Sequence, residues 1–269
     1  MNNGQKMIKH APFPQTVDRE RLGISADTEK IMNAFHERKI LKLFEGGTKR
    51  LKSGEESYFY FDDRGSVTED TEFGLLIGDC LRKVVNDIAI THASGKKIIL
   101  LGVPTAGTAL AAATVFAQQK EIDSKVVHQP RSFGYRQIRE NQKDHGLNAN
   151  WVNGTPPDHE NHFYIILENV TNAGTSIKIA ANHLKKDNYD LRQMHAITLI
   201  NRGTPGTYDD ILKNTSLAGL HAVYNLSELL DYYIQQDWFK PNVGLMYEEE
   251  WNRLTLHERV DDQYALRPH

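Results

Sequence analysis

Disulfides, membrane spans and a large net charge are all missing from this sequence. Cys80 is the only cysteine among 269 residues, so no internal disulfide can form, and we expect a reducing, cytoplasmic environment. No apolar run approaches about 18 residues, the length that a membrane helix needs, and the N-terminus lacks the apolar segment of a signal peptide. The net charge of −3 gives no general attraction to nucleic acid or anionic lipid. We therefore expect neither a nucleic-acid nor a membrane partner.

Metal-ligand spacings are missing as well. The sequence has 12 histidines but no HxxxH pattern, and a single cysteine excludes CxxC. No metal held directly by side chains is therefore predicted. His36, His162 and His183 are expected to be structural or exposed, and Cys80 is expected to fill the core on an apolar helix face.

The N-terminal part of the chain gives several local predictions. Residues 1–26 are polar and aperiodic, which indicates an extension. Residues 27–44 have apolar residues at helical spacing and predict a helix, with a break allowed near Arg38. The aromatic run SYFYF at 57–61 predicts a strand. Ser66 and Glu69 fit a capping box ahead of an amphipathic helix that continues to Ile88.

From residue 97 onward, strand and helix patterns alternate. Strands are predicted at residues 98–103, 125–128, 163–167, 195–200 and 220–223. Helices are predicted at residues 107–117, from 177, near 208–212 and at 227–235. The polar stretch 131–154 predicts a loop or a hairpin, and residues 237–269 are left unassigned. This alternation predicts an α/β fold with a parallel sheet covered by helices, and ligands bind such sheets at the carboxyl ends of the strands.

One stretch, HFYIILENVTNAGTS at residues 162–176, combines the features of a phosphate site. An apolar strand turns through Glu168 and Asn169 into a loop of small and hydroxyl residues, and a helix follows at once. The inner side of that helix is predicted to carry Ile177, Ile179, Ala180, Ala181 and Leu184. Free backbone N–H groups and the positive end of the helix dipole would meet at the loop. An ordinary strand–turn–helix corner is the alternative interpretation.

Three further segments carry candidate chemistry. They are KSG followed by SYFYF within residues 52–61, the strand-to-helix turn GVPTAGT at 102–108, and the loop RENQKDHG at 139–146. Asn201 and Arg202 end the strand that follows the phosphate site.

Together these segments resemble orotate phosphoribosyltransferase, a type I phosphoribosyltransferase. That family carries, in the same order, KSG…SPYFF, a strand with a YKG turn, an RKxxKDHG flexible loop and a DDVxTAGT loop, and an arginine ends the next strand. The likeness covers roughly residues 30–236. It implies the type I phosphoribosyltransferase fold, a twisted parallel sheet flanked by helices with a small N-terminal hood and a flexible loop. The domain would span 27–236, between extensions at 1–26 and 237–269.

The resemblance also implies a reaction. Orotate would displace pyrophosphate from C1 of 5-phosphoribosyl 1-pyrophosphate (PRPP), giving orotidine monophosphate, with Mg²⁺ held through the pyrophosphate rather than directly by the chain. Positive charge develops on the ribose and negative charge on the leaving group, so such a site needs acceptors under the sugar and cations over the pyrophosphate. In the family, the flexible loop reaches into the neighbouring subunit's site, which implies a homodimer.

Residue roles follow from matching positions. The catalytic residues implied by the resemblance are Glu168, Asn169, Arg139, Lys143 and His145. The PRPP-binding residues are Lys52, Thr105, Ala106, Thr171, Asn172, Ala173, Gly174, Thr175 and Ser176. The base-binding residues are Tyr60, Phe61, Asn172 and Arg202, the last pairing with the orotate carboxylate.

The sequence departs from the family's pattern at the chemically important positions. The Asp-Asp pair is Glu168-Asn169, the first loop Thr is Asn172, and the expected cations are Ala106 and Glu140. Losing one preorganised charge typically costs about 10²–10³ in rate. Three functions stay open: orotate phosphoribosyl transfer, transfer to another base, and a non-catalytic protein that binds a phosphorylated ribose. If the lost carboxylate is the defect, Asn169→Asp is expected to raise activity.

Overall fold

A computed structural model describes residues 16–44, 46–51, 54–124, 131–140 and 151–265, with side chains described up to residue 255. Its centre is a five-stranded sheet of β5 (Lys97–Gly102), β6 (Phe133–Gln137), β7 (His162–Thr171), β8 (His195–Asn201) and β9 (Gly219–Asn225). The strand order is β6-β5-β7-β8-β9, and all neighbouring pairs are parallel. The predicted parallel α/β fold is confirmed.

Strand β6 corrects one prediction, because it lies inside the stretch 131–154 that was expected to be a loop or a hairpin. After buried Phe133, exposed Tyr135 and Gln137 alternate with half-buried Gly134 and Arg136, as expected at the edge of a sheet. Beyond the strand, Ile138 forms an antiparallel bridge with Val152, flanked by hydrogen bonds from the Arg139 N–H to the Trp151 carbonyl at 2.8 Å and from the Asn153 N–H to the Gln137 carbonyl at 3.0 Å. The described ends of this stretch therefore pair in the manner of the predicted hairpin. The strand predicted at 125–128 lies outside the described residues.

Helices cover both faces of the sheet. They are α4 (Ala106–Asp123), α5 (Thr175–Lys186), α6 (Pro205–Thr215) and α7 (Leu226–Gln235). Alternate residues of β7 enter two separate cores: Phe163 and Ile165 belong to a core that also contains Leu229 of α7, whereas Tyr164 and Ile166 belong to a core shared with α5 and α6. Ile179 of α5 was predicted to face inward but is 50% exposed. It lies two residues from buried Ile177, about 200° around the helix.

The N-terminal region differs from the predictions in two places. Helix α1 (Ser25–Glu37) ends before Arg38, which confirms the predicted break, but the chain then continues as a strand, β1 (Leu41–Leu43), and not as a helix up to residue 44. Ser66 lies within helix α2 (Arg64–Glu69), and the cap of helix α3 (Thr71–His92) is Asp70, which accepts a hydrogen bond from the Phe73 N–H at 3.0 Å. Three short strands complete the region: β2 (Lys49–Arg50), β3 (Glu56–Ser57) and β4 (Phe59–Phe61).

We call residues 41–69 the hood. Within it, β1 pairs with β4 and β2 with β3, both antiparallel. The hood packs onto the first core through Phe59 and Phe61. Cys80 of α3 is buried in the same core, as predicted, and burial raises the pKa of its thiol to about 12.

The unassigned C-terminal stretch contains a long helix, α8 (Asn242–Ala265). Val243 and Tyr247 anchor its first turns in the first core. One turn further on, Glu250 is buried against the hood. None of the described helices combines the length and apolar character needed to cross a bilayer.

Candidate functional site

The order of the strands identifies where a ligand would bind. From β5 the chain moves outward to the edge strand β6, and then returns past β5 to β7, so the direction of winding reverses between β5 and β7. In open α/β sheets, ligands bind at this switch point, at the carboxyl ends of the strands. The turn Val103–Thr105 follows β5, and the loop Asn172–Gly174 follows β7. The sequence-predicted phosphate loop therefore lies at the switch point.

The loop after β7 has the backbone of an anion cradle. Gly174 is the N-cap of α5 and adopts a left-handed conformation with φ of 69°. Thr175 and Ser176 are exposed in the first turn of the helix, where free N–H groups and the helix dipole favour a phosphate. Glycine is required here, because an added Cβ would lie 2.3 Å from the Ile211 side chain as well as in a strained backbone.

If this loop binds the phosphate of PRPP, as the family resemblance implies, Gly174→Ala should weaken PRPP binding by at least tenfold, because the strained loop can no longer present its N–H groups to the phosphate. Folding stability should fall by about 1–2 kcal/mol, since alanine is disfavoured at positive φ. Calorimetric titration with PRPP and urea unfolding measure the two effects. Gly95→Ala is the matched control: Gly95 also has positive φ (80°) but has no atom within 4 Å of its added Cβ. Equal losses of PRPP affinity in both variants would contradict a role of the loop in binding.

The polar pair at the end of β7 is not a turn. Glu168 and Asn169 are strand residues, and β7 continues to Thr171. The Asn169 N–H donates to Glu168 Oε1 at 2.9 Å, and the Asn169 side-chain amide donates to Asp63 Oδ1 at 2.8 Å. Asp63 is fully buried, and burial raises the pKa of its carboxyl while the Asn169 amide lowers it. A carboxylate of the hood therefore lies beside the position where the sequence lacks one.

A second amide makes the same kind of contact. The side-chain amide of Asn172 donates to the carboxylate of Glu55, which also belongs to the hood. Both asparagines that depart from the family's pattern are thus hydrogen-bonded to hood carboxylates. These two hydrogen bonds connect the hood to the end of β7 and to the phosphate loop.

A cavity of about 290 Å³ brings together three of the predicted segments. Pro104 of the turn after β5, Arg139 at the start of the cationic loop and Ser176 of the phosphate loop all line it. Arg139 Nε donates to Asn153 Oδ1 at 2.8 Å, which orients its guanidinium. His183 closes the far side, and burial lowers the pKa of its imidazole. Arg139 is therefore placed where it could contact a ligand between β5 and β7.

Other predicted residues of this region are distributed as follows. Thr105 is exposed in the turn after β5, whereas Ala106 is buried at the start of α4. Ala173 is half-buried in the phosphate loop. Lys52, Lys143 and His145 lie outside the described residues, so their roles stay predictions.

Three of the predicted base-binding residues have partners within the protein. Tyr60 is half-buried, and its hydroxyl accepts a hydrogen bond from Arg64 at 2.5 Å. Phe61 lies in the core, edge-to-face with Phe35 at a ring separation of 5.2 Å. Arg202 is 5% exposed and forms an ion pair with Glu250 at 2.8 Å.

The Glu250 carboxylate is surrounded by hydrogen-bond donors. It accepts hydrogen bonds from Arg202 Nη2, from the Ser57 hydroxyl at 2.9 and 3.0 Å, and from the Tyr58 N–H at 3.1 Å. Arg202 also donates to the Ser57 hydroxyl and to the Phe59 carbonyl. The planar fork that the resemblance assigns to a ligand carboxylate is therefore paired with an internal carboxylate.

Sequence reasoning did not single out Asp63, Glu55, Ser57 or Glu250. The acidic pair Asp62-Asp63 directly after SYFYF and the run of three glutamates in the C-terminal segment were visible signals. Neither signal has a fixed spacing from the phosphate loop, so neither identifies a partner. Across the part of the chain that is described, no three His, Cys, Asp or Glu side chains are grouped as metal ligands.

The chain is similar to known proteins in its three-dimensional structure. No protein-family model and no curated protein sequence matches the chain. Orotate phosphoribosyltransferase from Aeropyrum pernix superimposes with a TM-score of 0.52 at 20% identity, over 75% of this chain and 98% of that one. The Francisella tularensis orotate phosphoribosyltransferase gives 0.53 at 17% identity, over 82% and 96%. Leishmania donovani UMP synthase gives 0.59 at 16% identity, over 86% of this chain but only 44% of that one.

These likenesses agree with the architecture derived above. The parallel five-stranded sheet with helices on both faces is the type I phosphoribosyltransferase fold. At such low identity the fold is shared, whereas the acceptor and the reaction have to be argued from the site.

Proposed function

We propose that the protein transfers the phosphoribosyl group of PRPP to an acceptor base, with orotate as the expected acceptor. One observation carries the proposal: the Gly174 loop at the N-terminus of α5 lies at the switch point of the sheet. This loop would hold the 5-phosphate through its N–H groups and through the hydroxyls of Thr175 and Ser176. The likeness to two orotate phosphoribosyltransferases supports the same class.

Different side chains would stabilise the positive and the negative charge that develop in the reaction. Glu168 and Asn169 at the end of β7 would face the ribose, where a carboxylate and an amide oxygen stabilise developing positive charge. Arg139, with the predicted Lys143 and His145, would cover the departing pyrophosphate. Mg²⁺ would be held through the pyrophosphate, as the resemblance implies, and would neutralise further negative charge on the leaving group.

The remaining expectations belong to this proposal. We propose a homodimer, in which the loop that starts at Arg139 completes the partner subunit's site. We propose a cytoplasmic location, since Cys80 is free and buried and a disulfide is not needed for stability.

A second candidate function is favoured by the pairing of Arg202 with Glu250. With its guanidinium engaged inside the protein, Arg202 has a carboxylate partner without orotate. An acceptor base without a carboxylate would not compete with Glu250 for Arg202. The same holds if the protein binds a phosphorylated ribose without turnover. This candidate also agrees with the missing charges at Asn169 and Ala106.

An assay with PRPP, Mg²⁺ and a panel of bases separates the candidates. We expect release of pyrophosphate in the presence of orotate, and binding of PRPP measured by calorimetry. Turnover with a neutral base such as uracil or adenine, but not with orotate, would identify another acceptor. Tight binding of PRPP with no turnover for any base would support the non-catalytic alternative, and absence of PRPP binding would overturn the whole proposal.

A further inference from the structure

We infer that Asp63 is a positioning residue of the site: it turns the amide oxygen of Asn169 toward the ribose and returns a negative charge to the end of β7. The inference rests on the proposed function, because that function supplies the ribose. Its geometric basis is the hydrogen bond from Asn169 Nδ2 to Asp63 Oδ1 at 2.8 Å, which joins residues 106 positions apart in the chain.

The burial of Asp63 is hard to explain by stability alone. Asp63 is 0% exposed, and its second carboxyl oxygen, Oδ2, is buried without a hydrogen-bond partner among the described residues. Asp63 is also the N-cap residue of α2, but its side chain caps no helix N–H group. A buried carboxyl group with an unsatisfied oxygen normally opposes folding. Groups of this kind are concentrated at functional sites.

The hydrogen bond decides which end of the amide is presented to a ligand. A carboxylate only accepts hydrogen bonds, so the NH₂ end of Asn169 must face Asp63. The amide oxygen then points away from Asp63, and Asn169 is half-buried, with part of its side chain accessible. An oxygen at this place can accept a hydrogen bond from a ribose hydroxyl. Asn169 thereby does what a carboxylate would do at the same position.

An ionised Asp63 supplies a negative charge at a greater distance than an aspartate at 169 would, while burial raises the pKa of its carboxyl. Coulomb attraction falls in inverse proportion to distance, so moving a charge from about 4 to about 8 Å halves it at a given dielectric constant. Because Asp63 is shielded from water, its field at the strand end is weakened little by solvent. The pair of Asp63 and Asn169 therefore retains part of the electrostatic support that an aspartate at 169 would give to a developing cation.

This arrangement changes the expectation for Asn169→Asp. That substitution alone places two carboxyl groups within hydrogen-bond distance in a buried site, and two carboxylates there cannot both be ionised. The exchange Asp63→Asn with Asn169→Asp keeps one carboxylate, one amide and the hydrogen bond between them. The exchange, and not the single substitution, should preserve the site.

The experiment is a double-mutant cycle of the wild type, Asp63→Asn, Asn169→Asp and the exchanged double variant. Calorimetry measures binding of PRPP and, separately, of ribose 5-phosphate. We expect each single variant to bind at least tenfold more weakly and the exchanged variant to return to within about threefold of the wild type, a coupling typical of residues in contact. Where turnover is present, the pH profile of the Asn169→Asp variant should be shifted, because this variant has two adjacent carboxyl groups. The exchanged variant, with one carboxyl group, should have the wild-type pH profile. A structural role alone would not produce that shift.

The control is Glu69→Gln, which removes one negative charge from an exposed position on the same helix, α2, and should leave both affinities unchanged. Thermal unfolding of every variant checks that it is folded. If Asp63→Asn binds like the control, or if the exchanged variant binds no better than the single ones, the inference is overturned. A wild type that binds ribose 5-phosphate but not PRPP would overturn the proposed function and leave the inference testable with ribose 5-phosphate. Binding of neither would overturn both.

Discussion

Glu250→Ala is expected to lower the free energy of unfolding by about 3–5 kcal/mol, the loss found when one partner of a buried ion pair is removed. The side chains of Arg202 and Glu250 are only 4% and 5% exposed. Without Glu250, the guanidinium stays buried and keeps, among the described residues, the Ser57 hydroxyl and the Phe59 carbonyl as acceptors. The Tyr58 N–H loses its acceptor as well. Urea unfolding at pH 7 measures the change, with the m-value checked for two-state behaviour.

Glu249→Ala is the matched control, because Glu249 is adjacent on α8 but contacts only the exposed Tyr58 hydroxyl. Its loss should be about 0.5 kcal/mol or less, as for exposed polar contacts. Glu250→Gln should fall between the two, since an amide retains an acceptor for Arg202 but not the charge. Equal stability of Glu250→Ala and Glu249→Ala would show that the buried pair makes no net contribution to folding.

The same variant tests what Arg202 recognises. If Arg202 binds the orotate carboxylate, Glu250→Ala should bind orotate more tightly than the wild type, and orotate should raise its melting temperature by replacing the lost carboxylate. Uracil, which has no carboxylate, should have no such effect. Unchanged orotate affinity would favour an acceptor that does not use Arg202.

The difference between local and distant contacts explains what the sequence could predict. The strands β5, β7, β8 and β9 are apolar runs buried on both faces, and the phosphate loop directly follows one of them, so both are visible in a short window. Strand β6 lies at an edge of the sheet and contains polar residues such as Arg136 and Gln137. Its sequence is therefore similar to that of a loop. Inward packing of Ile179 is wrong because a residue two positions after buried Ile177 lies about 200° around the helix, on its outer side.

The contacts that change the interpretation of the site are not local. Asp63 reaches Asn169 across 106 positions, and Glu250 reaches Ser57 across 193. No spacing rule connects such residues, because their proximity depends on how the hood and α8 pack against the first core. The sequence shows that a carboxylate is missing at position 169 and a hydroxyl at position 172. Only the packing shows that hood carboxylates lie beside both.

The second large effect is expected at the opposite end of the sheet, where His195 begins β8 and His221 lies in β9. His195 Nδ1 and His221 Nε2 are 3.0 Å apart, and the ring of His92 lies 4.5 Å from that of His195. Burial, together with the neighbouring histidines, lowers the pKa of both His195 and His221 to about 4. Asp87 acts in the opposite direction on His221 but does not compensate.

Stability should therefore fall as the pH decreases from about 6.5 to about 4. Above about pH 7.5 both histidines are almost entirely neutral in the folded and unfolded chains, so they add no pH dependence there. Between about pH 6.5 and about pH 4 the unfolded chain binds protons that the folded chain does not, and the free energy of unfolding decreases. A depression from 6.5 to about 4 corresponds to a loss of about 3 kcal/mol for His221 alone, at about 1.4 kcal/mol per pKa unit.

Urea unfolding at several values between pH 7.5 and pH 4 measures this slope. His221→Gln should be less stable at pH 7, because a buried contact is altered, yet lose less stability on acidification than the wild type. His162→Gln, at the half-exposed start of β7, should retain the wild-type slope. The two histidines interact, so the slope reports the pair and not either residue alone. A slope that His221→Gln leaves unchanged would mean that the acid sensitivity arises from carboxyl groups elsewhere in the protein.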